Sequence, residues 1–196
     1  VDAKDNEIRM SDLSIYSDLQ KLSIANAGDD SLSELGNLDE LIQLEFTDSD
    51  LSTSLSKLDS YKKLVKITFI DSEVDLNDLK CSSVKEISFE RCRVKNSSAL
   101  KTCPALEKLR FSESTVDDYI SEITSESSPI KYILGGSAFS DFDNIKHLEL
   151  INILIINPSG ILEMDKLEEF VCSSSMLMDE DSSEMSRRGI KVSYYP

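Results

Sequence analysis

Leu64-x-x-Ile67-x-Phe69-x-x-Ser72-x-Val74 decides the fold, because the same spacing recurs along the chain. It returns as Leu41/Leu44/Phe46/Ser49/Leu51, Val84/Ile87/Phe89/Cys92/Val94, Leu106/Leu109/Phe111/Ser114/Val116 and Leu167/Phe170/Cys172/Ser175/Leu177. Looser copies start at Leu19, Ile130, Ile145 and Ile190, so most starts lie about 22 residues apart. Only the step from Ile130 to Ile145 is short. One unit of this length cannot bury its apolar side alone, whereas stacked copies can. The expected organisation is one continuous solenoid. Residues 1–18 read as an N-terminal cap or partial repeat, 19–189 as repeats and 190–196 as a C-terminal edge strand.

Inside each unit the first apolar residues alternate, which is how a strand with one buried face reads. Ile87 and Phe89 point inward, while Glu86, Ser88 and Glu90 point outward. Successive strands run the same way, so they pair in parallel and each connection crosses back over the core. The spacing therefore predicts eight or nine short strands, with Phe46, Phe69, Phe89 and Phe111 stacked in one inward row. Ser31-Leu32-Ser33-Glu34 reads as a capping box opening a helical turn. Asp117 to Ile123 reads as a two-turn amphipathic helix with Tyr119, Ile120 and Ile123 available for burial. Asp179 to Arg188 reads as a helix, with acids first, arginines last and Gly189 at the C′ position.

The repeat resembles the leucine-rich repeat family, whose consensus is Leu-x-x-Leu-x-Leu-x-x-(Asn or Cys)-x-Leu. The resemblance covers roughly residues 13–195. It implies an α/β leucine-rich repeat solenoid, with a curved parallel β-sheet on the concave face and short helices or turns on the convex face. The family's Asn position holds Ala27, Ser49, Ser72, Cys92, Ser114, Ile153 and Ser175 here. In family members that Asn bonds backbone groups of the neighbouring turn. Serine can do part of this; alanine and isoleucine cannot, so a less regular spine is expected. Ala138-Phe139-x-x-Phe142-x-x-Ile145-x-x-Leu148 and Ala99-Leu100-x-x-Cys103-x-x-Leu106-x-x-Leu109 are similar to BspA-like bacterial surface repeats. The crossover holding Leu55, Leu58 and Tyr61 looks more like the internalin type or the intracellular phosphatase-regulator type.

Composition narrows the function. The formal charge of −16 over 196 residues opposes binding to nucleic acid and to anionic membranes. The longest apolar run, Ile153 to Ile156, is far too short to span a bilayer, so no membrane insertion is expected. The first residue is Val1, and the expectation is a trimmed fragment or a mature form, which leaves a removed signal open. Four cysteines do not make a disulfide scaffold in a chain this long. Cys81 and Cys103 occupy equivalent positions on adjacent turns, where a disulfide is sterically allowed. The expected state is nevertheless small buried thiols.

The residues for catalysis are missing. His147 is the single histidine and points outward, whereas Cys172 points inward, so they cannot form a nucleophile–base pair. A serine triad would need the same histidine. Gly135-Gly136 lacks the Lys-Ser/Thr of a phosphate loop and reads as a tight bend in the short unit. The cysteines lack zinc spacing. Asp48 with Asp50, Asp71 with Glu73 and Asp75, and Asp179 to Asp181 offer oxygens that calcium would accept, but no loop matches an EF-hand. No catalytic, cofactor or metal site is assigned. The expected function is a non-enzymatic protein-binding module, secreted or on a bacterial cell surface, acting as a monomer. The alternative is an intracellular eukaryotic adaptor. The late strands carry the most apolar outward face, so Tyr132, Leu134, His147, Ile151 and Val171 are the expected protein-binding residues.

Overall fold

A computed structural model describes residues 2–3, 10–53, 55–117, 120–122, 131–134, 139–173 and 177–195. The chain divides into two compact units, Val1–Leu106 and Glu107–Pro196. The first holds β1 (Asp2–Ala3), β2 (Lys21–Ala25), β3 (Gln43–Thr47), β4 (Asp50–Leu51), β5 (Lys66–Ile70), β6 (Glu73–Asp75), β7 (Glu86–Glu90) and β8 (Arg93–Lys95). Strands β1, β2, β3, β5 and β7 pair in parallel in that order. The short strands β4, β6 and β8 make a second parallel ladder. Register is in phase with the repeat: Phe46 pairs with Phe69, and Phe69 with Phe89. Their rings stack at 5.5 and 5.2 Å, nearly coplanar at 13° and 8°. These three belong to the expected inward row; Phe111, in the second unit, is buried and meets Phe139 at 6.0 Å.

The strands end at a recurrent left-handed residue. Asn26, Asp48, Asp71 and Arg91 have φ of 54°, 50°, 49° and 52° and follow β2, β3, β5 and β7. Asn and Asp tolerate this conformation better than most side chains. The next residue is the family's Asn position, where serine does more than expected. Ser49 Oγ accepts from Ala27 N at 3.0 Å and donates to Thr47 O at 2.9 Å. Ser72 Oγ accepts from Ser49 N at 3.1 Å and donates to Ile70 O at 2.7 Å. A single hydroxyl therefore satisfies one buried N–H of the preceding turn and one carbonyl of its own.

The return segments are a six-residue helix α1 (Asp29–Glu34) and short 3-10 helices at Met10–Ile15, Leu55–Ser60 and Ser97–Thr102. Helix α1 starts two residues before the expected Ser31, whose hydroxyl accepts from Gly28 N at 3.1 Å. Leu55, Leu58, Tyr61 and Leu100 are buried beneath these turns. The Tyr61 hydroxyl donates to Gly36 O at 3.1 Å, and burial pushes its pKa up to about 12.

Cys81 and Cys103 form a disulfide, with Cα atoms 5.4 Å apart and a sequence separation of 22. The expectation of two buried thiols is corrected. Equivalent positions on adjacent turns place the Cα atoms inside the range a disulfide spans. Closing a loop of this length stabilises the fold by about 3 kcal/mol.

The second unit holds β9 (Lys108–Ser112), β10 (Thr115–Val116), β11 (Ile120–Glu122), β12 (Tyr132–Leu134), β13 (His147–Ile151), β14 (Ile153–Ile155), α2 (Ser159–Leu162), β15 (Glu169–Ser173), α3 (Asp179–Arg187) and β16 (Lys191–Tyr195). Strands β9, β13, β15 and β16 pair in parallel. Strand β9 pairs directly with β13, Lys108 opposite His147, so no repeat strand lies between them. The expected unit starting at Ile130 is therefore not a repeat. In its place the chain makes antiparallel pairs, β10 with β11 and β11 with β12, before β12 joins β14 in parallel. The helix expected from Asp117 to Ile123 is overturned at Ile120–Glu122, which is strand; Tyr119, Ile123 and Gly135-Gly136 lie outside the described residues. Cross-strand pairing with β12 outweighs a short helix that could bury only one side.

Helix α3 forms as its charges and Gly189 predict. Gly189 has φ +83°, its N–H donates to Ser186 O, and Ile190 N donates to Met185 O, each at 3.0 Å. This double bond pattern closes the helix and hands the chain to β16.

Candidate functional site

The outward side chains of the main strands come from the third, fifth and seventh positions of each repeat. In the first unit Lys21, Ser23, Gln43, Glu45, Lys66 and Thr68, together with Leu22 and Leu44, line an open groove of about 380 Å³. Ser23 Oγ donates to Glu45 at 2.9 Å and Lys66 pairs with Glu86 at 2.7 Å. Lys21, Gln43 and Thr68 have no polar side-chain partner among the described residues.

The outward face of the second unit is tied together instead. Glu149, on β13, is only 7% exposed. Its carboxylate receives Lys108 Nζ at 2.7 Å and the Arg110 guanidinium at 2.8 Å, both from β9. His147 Nε2 reaches it at 2.8 Å. Burial pushes the Glu149 carboxyl up, but the hydrogen bonds from Lys108, His147 and Arg110 outweigh it and hold it below the usual range. His147 Nδ1 lies 2.9 Å from Glu169 on β15, which also pairs with Lys191 at 2.6 Å and accepts from Ser193 at 3.1 Å. The Lys191 bond leads in holding the Glu169 carboxyl low.

Arg110 also lies 5.7 Å from the centre of the Tyr195 ring, within cation–π range. Two strands, β13 and β15, separate their own strands, so this pair bridges over the face. Ser112, Ile151, Ser173 and Tyr195 share one register row, and the first three are buried.

This geometry redistributes the expected binding residues. His147 and Val171 lie on the outward face and are partly accessible. Ile151, expected outward, is buried at 2%, in the row crossed by the Arg110–Tyr195 pair. Tyr132 and Leu134 belong to β12, which pairs with β11 and β14 rather than with the main strands, and Leu134 is fully buried. The five residues therefore do not form one surface. The reason is the antiparallel excursion, which moves Tyr132 and Leu134 off the main sheet. Sequence reasoning placed Lys108, Arg110, Glu149 and Glu169 on the outward face but did not join them. The available signal was opposite charge at equivalent positions of neighbouring repeats.

Cys172 is fully buried, and burial pushes the Cys92 and Cys172 thiols up to about 11. The acidic turns at Asp71 and Glu73 are paired across neighbouring turns with Arg91 at 2.7 Å and Lys95 at 2.5 Å. Asp75 accepts from Asn96 at 2.7 Å. Among the described residues no group of three or more His, Cys, Asp or Glu is arranged to hold a metal ion. Among them, too, no helix is long and apolar enough to cross a membrane.

No protein-family model matches the sequence, and no curated protein matches it. Among solved structures 57 chains match. One is internalin C2 (inlC2) of Listeria monocytogenes, with 15% identity, TM-score 0.50, 96% of this chain covered and 84% of that one. Another is the internalin inlF of the same organism, with 13% identity and TM-score 0.46. That match covers 93% of this chain, which spans 56% of the length of inlF. Parallel strands in phase with a repeat of about 22 residues, short return helices and the likeness to internalin C2 agree: the chain has the leucine-rich repeat fold.

Proposed function

We propose that this chain is a non-enzymatic protein-binding module, secreted or displayed on a bacterial surface, and monomeric. Its binding surface is the outward face of the parallel sheet. The observation that carries this reading is the groove of the first unit, where Lys21, Gln43 and Thr68 present donors and acceptors that nothing in the described chain satisfies. Extended sheet faces of this kind are the surfaces that repeat proteins use for binding. In the second unit, taken by itself, His147 and Val171 are the partly accessible outward residues of the expected set. The Cys81–Cys103 disulfide supports an oxidising compartment and disfavours the intracellular adaptor.

Two experiments test this. A photo-crosslinker at Gln43 should capture a partner protein that the same group at Ser56, exposed on a return turn, does not. Capture from Ser56 alone would place the binding surface elsewhere. Thiol labelling of natively secreted, denatured and unreduced chain should modify two cysteines, Cys92 and Cys172. Labelling of all four would overturn the compartment.

A further inference from the structure

The parallel register of the first unit sets Lys21, Gln43, Lys66 and Glu86 side by side in one outward row. Ser23, Glu45 and Thr68 make the next outward row, two residues further along the same strands. Strand rise separates the two rows by about 6.6–6.8 Å. Gln43 and Glu45 both belong to β3, which runs through the middle of the groove.

The charges of the two rows are answered unevenly. Lys66 Nζ meets Glu86 at 2.7 Å, so that pair is closed within the face. Among the described residues, Lys21 has no carboxylate in ion-pair range and the Gln43 amide has no polar side-chain partner. Glu45 Oε1 accepts from Ser23 at 2.9 Å, but among the described residues no cation reaches this carboxylate. The groove therefore keeps one open positive charge at the first row and one open negative charge at the second. A polyanion, with like charge at every step, would meet Glu45 unfavourably. A polypeptide can place an acid at one row and a base at the next.

We propose that this groove takes an extended segment of a partner protein carrying an acid and, two residues on, a base. The acid lies on Lys21 and the Gln43 amide; the base lies on Glu45. In an extended chain, side chains two residues apart share a face and are spaced by the same rise, so the segment matches the two rows when it runs along β3. The Thr68 hydroxyl flanks it as a further donor or acceptor. This inference rests on the reading of the sheet face as the binding surface and adds the chemistry of what binds there.

The probes are three blocked peptides titrated into the isotope-labelled full chain and followed by NMR, up to about 10 mM so that even millimolar affinity registers. Acetyl-Thr-Asp-Thr-Lys-Thr-amide carries the spaced charges. Acetyl-Thr-Asp-Lys-Thr-Thr-amide has the same composition with its charges on opposite faces, and acetyl-Thr-Asn-Thr-Lys-Thr-amide lacks the acid. The spaced peptide should shift the Gln43 side-chain amide and the Thr68 backbone amide, and bind about threefold tighter than either control, the size of an exposed ion pair. Lys21 is exposed, so Lys21→Gln should leave the rest of the spectrum in place while removing the preference. Equal binding of all three peptides overturns the charge pairing and leaves the groove as a binding surface. No shift at Gln43 with any peptide also overturns it, and the crosslinker at Gln43 then decides separately whether the groove meets a protein at all.

Discussion

Phe69→Ala should be among the most damaging substitutions in the first unit. Phe69 is buried on β5, with in-register rings on both sides, Phe46 at 5.5 Å and Phe89 at 5.2 Å. Truncating a buried Phe costs roughly 3–5 kcal/mol through lost transfer and a residual cavity. Each stacked ring pair adds about 0.5–1.5 kcal/mol beyond area burial, and here two pairs are lost. The parallel ladders pin both neighbouring strands, so the flanking rings cannot close the gap. The upper end, about 4–5 kcal/mol, is expected. Phe46→Ala loses one of these stacked pairs and should cost nearer 3 kcal/mol. Phe69→Leu keeps much of the volume and should cost about 1–2 kcal/mol. The chain has no tryptophan, so urea unfolding is best followed by far-UV circular dichroism. Midpoint and slope then give the free-energy differences. A loss below about 1 kcal/mol in Phe69→Ala, or a larger loss in Phe46→Ala, would refute the stacked-row reasoning.

Ser49→Ala removes the acceptor of the buried Ala27 N–H and should cost about 1–3 kcal/mol, while Ser49→Asn should recover most of it. Equal losses in both variants would show that the ladder hydrogen bond is not what Ser49 contributes. Acid should destabilise the fold through Asp59, whose pKa is held at about 2, first by its hydrogen bonds from Ser82 and then by Lys62. Its folded value lies below the unfolded value of about 3.9. The stabilisation is therefore full above that value and is lost as pH falls toward about 2. Thermal midpoints measured from pH 5 to pH 2 should fall less steeply for Asp59→Asn between about 4 and 2. Identical slopes would show that the Ser82 contacts carry no proton linkage.

The sequence by itself determined the strand phase, the inward phenylalanines and the closing helix α3. All three follow from local rules. Alternation of period two decides which of Leu44, Phe46, Ile67 and Phe69 face the core, and Gly189 after Arg188 ends a helix whatever surrounds it. The serine ladder was half legible: Ser49 was seen to hold the Asn position, but not that its single hydroxyl serves two turns. What only the tertiary structure decided depends on which strand neighbours which. Ile130 and Ile133 mimic a repeat start, yet β9 pairs with β13, and pairing across a 39-residue gap is invisible to a local pattern. The same excursion took Tyr132 and Leu134 off the main sheet. Cys81 and Cys103 sat at equivalent positions, but whether two sulfurs bond is settled by Cα separation, not by phase. The charge cluster at His147 was the least legible, because the carboxylates near the ring come from two strands and are held by cations from two more. Burial is encoded residue by residue along the chain; charge pairing is encoded between chain segments that only folding brings into register.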